Sequence, residues 1–144
     1  MRCAELMERE VVCCRPSDAV TAVAQTMRDH GIGFVPVCVG RRVVGVVTDR
    51  DLVVRAVAAG RPCDRVPVED VMTREVVTCR GNDDLAEVER LMAHHQKYRI
   101  VCTDAERQLL GVVSLIDVAT VERGEHAANV LRALAARDAC FVML

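Results

Sequence analysis

The sequence predicts an α/β (α+β) fold in which one β-α-β-β-α unit is written twice and followed by a helical tail. Three observations carry this: the chain repeats itself, each copy runs through the same order of strand and helix signals, and the composition suits a small aliphatic core. Shifted by 65 residues, LMEREVVCCRPSD from Leu6 lies over VMTREVVTCRGND from Val71. Matching pairs include Met7/Met72, Val11/Val76, Val12/Val77, Cys14/Cys79, Asp18/Asp83, Val23/Val88 and His30/His95. One inserted residue near DAERQ makes the later offset 66, where GVVTDRD (from Gly45) meets GVVSLID (from Gly111). Such self-similarity marks a repeated supersecondary unit that does not bury its apolar face alone.

The elements follow in order. EVVCC and EVVTC are apolar runs of strand type. Pro16-Ser17-Asp18 and Gly81-Asn82-Asp83 offer side-chain oxygens to a helix start. Val20, Val23, Ala24 and Met27 then recur at helical spacing, as do Leu85, Val88, Leu91 and Met92. Gly31 can end the first helix in a left-handed conformation. FVPVCV and VVGVV are two strands joined by Gly40-Arg41-Arg42, and RIVCT and LLGVV match them. A last helix begins at the T-D-R-D or S-L-I-D end of each copy. These signals divide the chain into a first repeat (1–60), a linker rich in Pro and charge (61–67), a second repeat (68–123) and a C-terminal helix and apolar tail (124–144). In the tail Ala127, Val130, Leu131 and Leu134 form a stripe, and CFVML ends the chain. That apolar end is expected to pack on the domain or on a second subunit.

Composition excludes several classes. Apolar residues make up 51% and aromatics 2%, so the core must be built from Val, Leu, Ile, Ala and Met. A net charge of −2 lacks the basic excess of a nucleic-acid binder. No apolar run reaches the roughly 18 residues of a membrane helix, and MRCAELMERE is not a Sec-type signal, so a cytoplasmic location is expected. There is no G-x-S-x-G, no P-loop and no Cys–His pair placed to act together, so no enzyme is expected. The 8 cysteines include no C-x2-C pair, and the four histidines show no ligand spacing, so no metal site is expected. Most of these thiols read as small buried hydrophobes. Cys14 ends one strand and Cys38 lies late in the next, which allows a Cys14–Cys38 disulfide if the strands are adjacent; Cys79–Cys102 is the weaker counterpart.

Two β-α-β-β-α copies ending in G-h-h-[TS]-x-x-D, with GFVPV in the middle strand of the first, resemble a pair of cystathionine-β-synthase-type (CBS) domains, or Bateman module. The chain is similar to small stand-alone CBS-pair proteins of the bacterial hypoxia-response type. The resemblance covers residues 1 to about 123. It implies a pseudo-two-fold pair, a homodimer, and a non-enzymatic regulatory module read by an unidentified partner protein. Its implied ligands are adenine nucleotides or adenosyl compounds (AMP, ADP, ATP, NAD or S-adenosylmethionine) bound between the copies, with no cofactor required.

The resemblance places phosphate at the motif hydroxyl and ribose at the aspartate. Thr48 and Asp51 then form one half-site, and Ser114 and Asp117 the other. A helix start suits an anion, although Thr or Ser before a helix with Asp three residues on also describes a helix cap. The adenine walls would be Val77 and Arg99 for the first half-site, and Val12 and Pro36 for the second; these valines read equally well as core. Arg50 and Arg99 are the phosphate donors, Arg50 reading equally well as a solvated surface arginine. Leu115-Ile116 replaces Asp49-Arg50 in the second copy, so the Thr48/Arg50/Asp51/Arg99 site is expected to be the better one. The competing reading is a ligand-free interaction module with cysteine-based stabilisation or redox control.

Overall fold

A computed structural model describes residues 1–122 and 124–138. The tail's CFVML therefore lies outside the described residues. The elements are α1 (Cys3–Leu6), α2 (Val20–His30), β1 (Phe34–Val39), β2 (Arg42–Thr48), α3 (Asp49–Leu52), β3 (Thr78–Cys79), α4 (Leu85–His95), β4 (Arg99–Thr103), β5 (Leu109–Ser114), α5 (Leu115–Val121) and α6 (His126–Asp138). A π-helical stretch, Val53–Val57, continues α3, and a single 3-10 turn spans Val68–Asp70. Mixed α/β architecture with a C-terminal helix is what the repeats required.

The chain forms two compact units whose borders do not coincide with the repeats. One contains Val11–Val76 and Glu106–Gln108; the other contains Met1–Glu10, Val77–Ala105 and the chain from Leu109 onward. Each repeat's opening residues thus belong with the body of the other repeat. In the Val11–Val76 unit, Val68 N–H donates to Asp18 O at 2.7 Å and Glu69 N–H to Pro16 O at 3.1 Å. In the other unit Cys3 N–H donates to Asp83 O and Ala4 N–H to Gly81 O, both at 2.9 Å. These are the same bonds at the repeat offset.

Segment 61–67 lies inside the Val11–Val76 unit, with Val66 buried. It caps α2: Val20 N–H donates to Val66 O and Thr21 N–H to Cys63 O, both at 2.9 Å. The expected side-chain caps do not form at α2 or α4, whose N-cap residues are Ala19 and Asp84. Asp18 and Asp83 instead turn back on their own loops, accepting from Arg15 N and Arg80 N at 2.8 Å. The orphan amides of a helix start need acceptors, and backbone carbonyls from the exchanged segment supply them. Gly31 ends α2 with φ 64°, as its sequence position predicts.

β1 and β2 are antiparallel, with Phe34 opposite Thr48 and Val35 opposite Val47. β4 and β5 repeat this, with Arg99 opposite Ser114 and Ile100 opposite Val113. The lead-in strands shrink to a single parallel bridge, Cys14 to Val37, in one unit and to β3 beside β4 in the other. Side chains two apart share a face, although β1 and β4 are buried on both faces. Val35, Val37 and Val47 join Val23, Val68 and Val71 in one core; Ile100, Cys102 and Val113 join Val88, Met92, Val118 and Leu134 in the other. Along α6, Val130 and Leu134 are buried while Leu131 is 52% exposed, so the expected stripe narrows to one helical ridge.

The motif glycines have a packing cause. A Cβ on Gly111 would lie 2.6 Å from Glu8 O and 2.9 Å from Met7, and one on Gly45 would lie 2.5 Å from Met72 Sδ and 3.1 Å from Thr73 O. The exchanged segment crosses each strand too closely for any side chain there.

Candidate functional site

Each G-h-h-[TS]-x-x-D motif is a strand end that turns into a helix. Thr48 and Ser114 are the N-cap residues of α3 and α5. Thr48 Oγ1 accepts from Asp51 N at 3.2 Å, and Thr48 N donates to Asp51 Oδ2 at 3.0 Å. Ser114 Oγ accepts from Asp117 N at 3.2 Å while Ser114 N donates to Asp117 Oδ2 at 2.8 Å. Ser114 Oγ also lies 2.6 Å from Asp117 Oδ2, donating to it. Both pairs are reciprocal capping boxes. All four residues are half-buried, so they keep a solvent face on which a further hydrogen bond can form.

Arg55, which the sequence reading passed over, completes the first turn. Its Nε lies 3.7 Å from Asp51 Oδ1, and its Nη1 donates to Met72 O at 3.0 Å. An i, i+4 search from Asp51 finds it. Arg50 is exposed on α3. Its counterpart in α5 is Ile116, 71% exposed. Within its own unit exposed Arg99 is the cross-strand neighbour of Ser114, as Phe34 is of Thr48. Val12 and Val77 are half-buried and Pro36 is buried, its carbonyl accepting from Cys14 N at 3.0 Å.

The Cys14–Cys38 disulfide is not formed; both are free thiols. Cys14 pairs with Val37 across the parallel bridge, so its side chain shares Val37's face, and Cys38 points to the opposite one. Cys13 is the residue on Cys38's side. The Cys38 thiol donates to Cys13 and lowers its pKa, while Cys38's own rises for the same reason, with burial adding to it. In the second unit the position of Val37 is taken by Cys102, which is the direct parallel partner of Cys79. Cys3 joins them, its Sγ 3.4 Å from Cys79 Sγ. No ligand spacing marks these residues along the chain, yet Cys3, Cys79 and Cys102 bring three sulfurs within 4.8 Å of one another. Spacing along the chain could not reveal a cluster drawn from three separate elements.

A second acidic group lies on α4, α5's end and α6. Glu89, Glu122 and His126 gather their ligand atoms within 4.8 Å. Burial, followed by Glu122's hydrogen bond and charge, raises the Glu89 pKa to about 7. No helix of the described residues is long and apolar enough to cross a membrane.

Comparison with known proteins places this geometry. The CBS domain family model matches residues 3–57 and 68–124. The uncharacterized protein MK0525 of Methanopyrus kandleri is 31% identical over 119 residues, 82% of this chain; the chain spans 61% of that relative's length. Hypoxic response protein 1 of Mycobacterium tuberculosis is 31% identical over 116 residues, 80% of each chain. The crystal structure of Hypoxic Response Protein I, solved with two coordinated zinc ions, superposes with a TM-score of 0.78 at 29% identity, covering 85% of this chain and 100% of that one. The CBS domain pair of MJ0100, solved with 5'-methylthioadenosine and S-adenosyl-L-methionine, superposes with a TM-score of 0.74 at 19% identity, covering 84% of this chain and 94% of that one, a likeness of fold. With both copies matched and the motif turns formed twice, the chain belongs to the CBS domain family.

Proposed function

We propose that the chain is a non-enzymatic regulatory module that binds an adenine nucleotide or adenosyl ligand at its motif turns and passes the binding state to a partner protein. The observation that carries this reading is the duplicated turn: a hydroxyl and a carboxylate, half-buried, held in one geometry at the start of a helix in both units. A carboxylate fixed in this way suits the two hydroxyls of a ribose, and Arg50 and Arg99 suit phosphate. The MJ0100 pair, with S-adenosylmethionine and 5'-methylthioadenosine bound, supports the ligand class. A homodimer is part of the proposal; Val53, Val54 and Val57, each at least 50% exposed on one π-helical stretch, suit a subunit contact. So is a cytoplasmic location.

The second reading, an interaction module without nucleotide, is favoured by one specific feature: each motif hydroxyl already accepts from the aspartate's backbone N–H, and each carboxylate from the backbone N–H of the hydroxyl residue.

Melting temperatures with and without AMP, ADP, ATP, NAD and S-adenosylmethionine separate the readings. A ligand at 100 times its dissociation constant adds about 2.7 kcal/mol, several degrees for a chain of this size. Asp51→Ala and Asp117→Ala also weaken a cap, so each variant's shift is taken from its own ligand-free value. A shift lost in Asp51→Ala supports the nucleotide reading. No shift with any of the five, from folded protein, favours the interaction module.

A further inference from the structure

Cys3 opens α1, Cys79 lies on β3, and Cys102 is its neighbour on β4. Their relative exposures are 0%, 2% and 0%. The repeat supplies an internal control. At the 65-residue offset these positions become Val68, Cys14 and Val37, all in the apolar core of the other unit. Valine therefore packs well at two of the three positions, and the unit that carries Cys3 and Cys102 instead gains a triangle of sulfurs. Two guanidinium groups stand at its edge. Arg9 Nη2 donates to Ala4 O at 2.8 Å, beside Cys3. Arg80 Nη1 donates to Thr103 O at 3.3 Å and Thr103 Oγ1 at 3.2 Å, beside Cys102.

We propose that Cys3, Cys79 and Cys102 form a binding site for one monovalent copper ion, held by three sulfurs inside the core. Soft thiolates select Cu(I), zinc or iron–sulfur clusters. Structural zinc asks for four ligands, and this cluster offers three thiols with no carboxylate or imidazole joining them among the described residues. Burial also leaves little room for a water to serve as the fourth. Monovalent copper is content with three sulfurs in a plane. Three sulfurs about 2.3 Å from a common ion lie roughly 4 Å from one another, between the 3.4 Å of the Cys3–Cys79 pair and the 4.8 Å that bounds the cluster.

The charge pattern fits the same ion. Loading forms three copper–sulfur bonds, moves no electrons, and releases the thiol protons to solvent. Affinity must rise with pH as those protons leave. Arg9 and Arg80 offset the negative charge left on the sulfurs. This site does not depend on the nucleotide reading.

The test is an anaerobic titration of the fully reduced chain with Cu(I) against bathocuproine disulfonate, with X-ray absorption on the loaded protein. The expected result is one ion per chain with three sulfur neighbours. Cys3→Val and Cys102→Val should each weaken binding at least about tenfold, and Cys13→Ser, an exposed thiol, should leave it unchanged. The valine variants copy the other unit's core, and their melting curves check that they fold. Absence of a tightly held ion in wild type, full copper affinity in either valine variant, a sulfur count of two, or displacement of copper by equimolar Zn2+ would each overturn the proposal.

Discussion

Glu89 should make this protein less stable as pH rises from about 4.5 to about 7. It is 5% exposed on α4, and its Oε1 has no hydrogen-bond partner among the described residues. Glu122 faces it, and His126 Nδ1 stands 3.6 Å from Oε2. Burial, then Glu122, raises its pKa to about 7 from an ordinary value of 4.5. Between those values the folded state holds a proton that the unfolded state has released. Stability therefore falls with rising pH across that window and levels off above it. A shift of about 2.5 units, at 1.36 kcal/mol each, sets an upper bound of about 3 kcal/mol. For a chain of this size that is a melting-temperature drop of up to about 10 °C. Thermal melts at pH 5, 6, 7 and 8 measure it. Glu89→Gln, neutral at every pH and nearly the same shape, should flatten the profile and melt above wild type at pH 8. A flat wild-type profile, or an unchanged slope in Glu89→Gln, refutes the reasoning.

Gly111→Ala should cost about 1–3 kcal/mol in urea unfolding, because the new Cβ meets the Glu8 carbonyl at 2.6 Å and forces backbone to move. Gly81→Ala, whose nearest neighbour is Ala4 Cβ at 3.4 Å, should cost clearly less. Ser114→Ala removes the acceptor for Asp117 N and should lower stability by about 1 kcal/mol. Ser114→Asn should retain most of that stability in the same assay.

The repeat, the two long helices and the motif turns were legible because each is written in contiguous residues. Val20, Val23 and Met27 carry the helical period, Gly31 its left-handed end, and GVVTDRD a strand running into a helix. The cysteines show where such reading stops. Cys14, ending one strand, and Cys38, late in the next, left a disulfide open, yet a one-residue step in a strand reverses the face. The register therefore sets Cys13, not Cys14, on Cys38's side. The capping aspartates failed for a related reason. Asp18 had two uses open to it, its own turn or the helix amides, and the exchanged segment carrying Val66 took the second.

What the sequence by itself determined is the duplicated unit, its order of elements and the hydroxyl–carboxylate pair at each turn. These depend on periodicity and on residues three apart, which local backbone geometry translates directly into structure. Only the tertiary structure decided that residues 1–10 and 66–76 belong with the opposite repeat's body, and that Cys3, 76 residues from Cys79, completes a sulfur triangle. Those outcomes depend on which distant segments pair and in which register, and a free-energy balance among long-range contacts leaves no periodic trace along the chain.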